Sequence, residues 1–218
     1  SVITFKPFND SIGGWGGIYF YNYSDYNGAT SSLKYCNIQK AATNNLYLES
    51  TNQPKLNNCT ITQSSGIGIR LYSSSPVIDS CFISSSGSDG IFAQNSSATI
   101  RHCNFLNNSG YPLKFNDWNC NSFLNGNTYL GNTLNFICLS GGDYTSNRTI
   151  HNDNISYHVL GDLRMIYNTT LTIKPGVTLA FAKDKKILLG QTDWGGYWSS
   201  LMAEGKTDSV ITFKPFND

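Results

Sequence analysis

Cys59 to Cys81 reads CTITQSSGIGIRLYSSSPVIDSC, and these residues hold one whole structural period. In Ile67-Gly68-Ile69-Arg70-Leu71 the apolar residues recur at every second position, which is the spacing of a strand with one face in and one face out. Ser64-Ser65-Gly66 on one side and Ser73-Ser74-Ser75-Pro76 on the other are turn formers. Two or three short strands therefore fit between one cysteine and the next, turning at fixed places, before the pattern starts again.

Working outward, Cys36, Cys59, Cys81 and Cys103 follow one another at nearly equal intervals. Fixed offsets from each cysteine give apolar columns. Three positions before stand Leu33, Leu56, Ile78 and Ile100, and two after stand Ile38, Ile61, Ile83 and Phe105. Ten after stand Leu46, Ile69, Ile91 and Leu113, and twelve after stand Leu48, Leu71, Ala93 and Phe115. A repeat of this length is the mark of a solenoid, in which each coil buries its apolar face only against its neighbours. The chain is thus predicted to be all-β, a parallel solenoid of about nine or ten rungs at about 22 residues each. Beyond Cys103 the cysteines fall closer together, at Cys120 and then Cys138, which predicts shorter or bent rungs there. Tyr144 to Tyr157 is polar and irregular and is expected to be an outward loop or a seam between two stacked segments.

Composition agrees with a thin, repetitive core. Only 13% of the 218 residues are charged and the net charge is +1, a poor footprint for nucleic acid or an acidic membrane surface. No stretch approaches the roughly 20 apolar residues that span a bilayer. SVITFKPFND occurs twice, at residues 1–10 and 209–218. The expectation is a single block, 1–218, of a tandem repeat whose period runs from Ser1 to Asp208, with copies of itself as the natural partner, end to end.

Rows such as Asn58-Cys59-Thr60-Ile61 with Gly66-Ile67-Gly68-Ile69 resemble the parallel β-helix repeats of the pectin-lyase-like superfamily. Leu171-Thr-Ile-Lys-Pro-Gly-Val-Thr-Leu-Ala-Phe181, Leu201-Met-Ala-Glu-Gly205 and Gly14-Trp15-Gly16-Gly17-Ile18 are similar to segments of large tandem-repeat surface proteins of bacteria and archaea. The resemblance implies a β-helix and an extracellular, cell-surface setting. With the general preference for right-handed crossovers, it also implies right-handed coiling.

The candidate site residues follow from this frame. Cys36, Cys59, Cys81 and Cys103 share the parity of inward isoleucines and are expected to form a buried thiol ladder. A disulfide, where one exists, is expected to involve Cys120 and Cys138. Seven sequons, at Asn22, Asn58, Asn95, Asn107, Asn147, Asn154 and Asn168, are candidates for glycosylation. Trp15 and Trp194, each followed by two glycines, are expected to lie over rung ends, with sugar stacking as the alternative. Tyr47 and Phe92 share an outward column with Arg70 and Lys114, a pattern suited to cation–π stacking and to holding a glycan. Asp79 and Arg101 are expected to pair across rungs. Asp143, His151 and Asp153 are the one acid–histidine group close in sequence that could serve catalysis or a metal. No cofactor is implied. Weighed together, these features point first to a structural rod, filament or sheath segment, next to a glycan- or host-binding adhesin. A polysaccharide lyase or hydrolase ranks last, because the acids are scattered.

Overall fold

The computed structural model describes residues 1–116, 120–190 and 198–216. Every pairing between its strands is parallel, and each strand pairs with the equivalent strand one coil away. The longest sheet holds nine strands, from Ile18–Phe20 to Thr212–Pro215. A six-stranded and a five-stranded sheet close the other two sides of the first coils. The apolar columns of the sequence coincide with the observed register: Ile38 with Ile61, Ile61 with Ile83, Leu46 with Ile69, Ile69 with Ile91, and Leu56 with Ile78. These side chains are fully or almost fully buried and form one continuous core.

The corners explain how so short a period closes. At the bend before the six-stranded sheet, Tyr35, Asn58, Ser80 and His102 all take φ between 51° and 54°, and Gly126 takes 66° at the same place. The next bend repeats the device with Lys40, Gln63, Ser85, Asn107 and Gly131. One left-handed residue turns the chain sharply without a long loop; Gly and Asn tolerate it best, and the other corner residues are held there by the coils on either side.

Three findings differ from the sequence reading. The longest sheet stacks nine strands, but the turns number about seven, slightly fewer than the nine or ten rungs expected. The first coil is opened by a 3-10 segment, Asn22–Gly28, with no buried residue, and the later coils vary: Leu171 to Leu201 is longer than the early cysteine spacing, whereas Ile137 to Tyr157 is shorter, as expected near Cys138. The coil after Cys103 is longer, not shorter: Thr99 pairs with Phe123, Asn104 with Thr128 and Leu113 with Ile137, each pair wider apart in sequence than Ile78 and Ile100. Cys120 and Cys138 do not mark this coil, because neither continues the column of the first four cysteines. Finally, of the two alternatives for Tyr144 to Tyr157 the outward loop fails, since the segment carries strands Arg148–Ile150 and Tyr157–Val159, and the seam fits. Here the six- and five-stranded sheets end, and two three-stranded sheets replace them, starting at Gly142–Tyr144 and Arg148–Ile150.

Candidate functional site

Each corner carries an interior polar ladder, in which a backbone N–H of one coil donates to a side chain of the next. Cys81 N–H donates to Cys103 Sγ at 3.5 Å, Cys103 N–H to Asn127 Oδ1 at 2.9 Å, and Asn127 N–H to Asp153 Oδ1 at 3.3 Å. The cysteine column is therefore a hydrogen-bonding column that continues as asparagine and then aspartate. A second ladder runs Ser86, Asn108, Asn132 and a third runs Thr51, Ser74, Ser96, Cys120. Such ladders satisfy donors at bends that the sheets cannot reach.

All six cysteines are buried and none is in a disulfide. The expected Cys120–Cys138 disulfide is not formed: Cys120 belongs to the third ladder, whereas Cys138 lies on the long sheet opposite Lys114 and His158. The hydrogen bond to Cys81, and then burial, push the Cys59 thiol up. Burial pushes Cys138 up to about 11.

The acid–histidine group is dispersed. Asp153 is buried and accepts from Asn127 Nδ2 at 2.6 Å and from Tyr129 Oη at 2.5 Å. Asp143 pairs with Arg164 at 3.2 Å. His151 packs edge-on against Phe123, and burial lowers its pKa. The Asp79–Arg101 pair forms at 2.9 Å, and His102 Nδ1, whose partner was not legible in the sequence, lies 3.1 Å from the same carboxylate. Burial works against the charge on Asp79, but the bonds from His102, Ser80 and Arg101 outweigh it and hold the carboxyl below its ordinary value.

The best-defined outward feature is a column on the long sheet. Register places Tyr19, Tyr47, Arg70, Phe92 and Lys114 one above another. The Arg70 guanidinium lies 6.0 Å from the Tyr47 ring and 5.4 Å from that of Phe92, and Lys114 Nζ lies 5.7 Å from Phe92. Tyr19, Tyr21 and Tyr47 form a ring cluster with centroids 5.3–6.2 Å apart. Tyr47 Oη donates to Glu49 at 2.9 Å. Burial and that bond push its phenol up to about 12. The arrangement offers flat, partly exposed rings beside cations and amides, the chemistry of stacking on sugar faces. Glu49 is the one carboxylate in the two outward columns of this sheet among the described residues. Farther along, Cys138, His158 and Ala180 continue the column but are covered.

Trp15 is half-buried against the core, its indole N–H donating to the Gln39 carbonyl at 2.7 Å. Trp194 lies outside the described residues. All seven sequon asparagines, Asn22, Asn58, Asn95, Asn107, Asn147, Asn154 and Asn168, are exposed. Five of them, Asn58, Asn95, Asn107, Asn154 and Asn168, take positive φ. Sequence reasoning missed Asn127 and Asp153 as ladder members. The signal was Gly126-Asn127-Thr128-Tyr129, which repeats the order of left-handed corner, acceptor and strand seen at His102-Cys103-Asn104-Phe105.

No curated protein and no solved structure matches the chain. The family model described as the right-handed β-helix region matches residues 11–175. With the parallel coils in view, the chain belongs to the right-handed β-helix family.

Proposed function

We propose that the chain is a structural length of rod in an extracellular, cell-surface tandem-repeat protein. The observation that carries this reading is the nine-stranded sheet, whose strands stay in parallel register from Ile18 to Pro215. A solenoid of this kind transmits length rather than enclosing a pocket. The duplicated SVITFKPFND supports a repeated block, and exposed sequons at the corners suit a glycoprotein surface. Electron micrographs of the full-length gene product test it: elongated particles or filaments are expected, and compact particles would sink the reading.

A second reading is glycan binding on the Tyr19, Tyr47, Arg70, Phe92 column with Tyr21 beside it, favoured by three clustered tyrosine rings of which two are exposed. A glycan array should then give hits that Tyr47→Ala and Phe92→Ala abolish. Release of unsaturated sugars from acidic polysaccharides would instead point to a lyase.

A further inference from the structure

Residues 1–8 and 209–216 are the same sequence, Ser-Val-Ile-Thr-Phe-Lys-Pro-Phe, in two different settings. The first copy contributes Ile3–Phe5 to the edge of the six-stranded sheet, opposite Cys36–Ile38. The second contributes Thr212–Pro215 to the edge of the nine-stranded sheet, opposite Thr178–Phe181. Both place the first phenylalanine at the end of an inward column, Phe5 beside Ile38 and Phe213 beside Leu179. They differ at the second. Phe8 is fully exposed, at 108% of its reference area. Phe216 stacks on the buried His158 ring, with centroids 3.6 Å apart and planes 8° from parallel, and Phe136 closes on it edge-on at 5.1 Å. Tyr111 Oη, 2.9 Å from His158 Nδ1, fixes that imidazole.

The seat for Phe216 therefore lies on side chains two and three strands back in the same sheet, and its occupant is an edge strand held by a few backbone bonds, among them Thr212 N–H to the Val177 carbonyl and Phe216 N–H to the Phe181 carbonyl. We propose that this edge is a docking seat for the SVITFKPF segment of a second copy of the chain, so that residues 1–8 of one molecule can replace residues 209–216 of another. The donor gives up little, since Ile3–Phe5 is a three-residue edge strand with Val2 and Ile3 each 59% exposed. The molecule's own second copy competes at high effective concentration and fills the seat in isolation. Exchange of an identical element is the usual route to swapped assemblies. Donor and acceptor are different edges, so the contact is heterologous and propagates head to tail. None of this depends on the rod reading.

Fluorescence anisotropy of a labelled peptide SVITFKPFND against the full chain tests the proposal. The Phe216→Ala chain should bind the peptide about two- to tenfold more tightly than wild type, the range that one ring stack supports. A peptide with alanine in place of Phe8 should lose that gain. His158→Ala, made in the Phe216→Ala chain, should remove it as well. Equal binding to wild type and variant, no binding to the folded variant, or equal binding of the two peptides would overturn it. Should Phe216→Ala lose its circular dichroism signature, Phe216→Leu carries the same comparison. Elongated particles without peptide binding would sink this proposal alone and leave the rod reading standing.

Discussion

Asp153 shows how much one side chain can hold in a core this thin. It accepts three hydrogen bonds, from the Asn127 backbone, the Asn127 amide and the Tyr129 hydroxyl, and it is buried. Asp153→Ala leaves those donors without a partner and should cost about 2–4 kcal/mol, read as a shift of the urea midpoint. Asp143→Ala breaks only a half-exposed pair with Arg164 and should cost no more than about 1 kcal/mol. Cys138 gives a pH signature. Its folded pKa of about 11 stands above the 9.0 of an ordinary thiol, so the folded state holds the proton longer than the unfolded one. The stability this represents is intact below pH 9 and is lost as pH rises toward 11, to a total of at most about 3 kcal/mol. Chemical denaturation across that window should show a shallower decline in Cys138→Ala than in wild type.

At the scale of strands and bends, close approach of backbones decides what is tolerated. A Cβ on Gly87 would stand 2.1 Å from the Ser65 carbonyl oxygen of the coil beside it, whereas one on Gly16 would meet nothing within 4 Å. Gly87→Ala should therefore destabilise by at least about 2 kcal/mol, and Gly16→Ala should stay within about 0.5 kcal/mol of wild type in the same melt. The strands themselves were legible in sequence because an inward residue must be apolar in every coil: Leu56, Ile78 and Ile100 leave no other reading. The bends were less so. The ladder position asks for a hydrogen-bonding side chain of suitable reach, and Cys103, Asn127 and Asp153 all meet that demand, so following the thiol alone leads to the wrong coil length. The covered half of the outward column was not legible at all. Cys138 and His158 occupy outward positions, and Phe136 and Phe216, returning from elsewhere in the chain, pack over His158.

Across the whole molecule, the sheets run along one direction and their hydrogen bonds run parallel to it, coil on coil about 4.8 Å apart. That geometry has a mechanical consequence. Tension applied between the two ends loads the bonds of one coil at a time, and the coils open in sequence rather than sharing the force as sheared strands do. Each opened coil, its length set by pairs such as Ile69 with Ile91 and Leu113 with Ile137, releases about 75 Å of slack chain. Single-molecule stretching of the protein should give a regular series of small force drops at about that interval, and one all-or-none rupture would contradict it. On the rod reading proposed above, such a stack lengthens by many small yields while its remaining coils stay folded, which suits a shock absorber as much as a spacer.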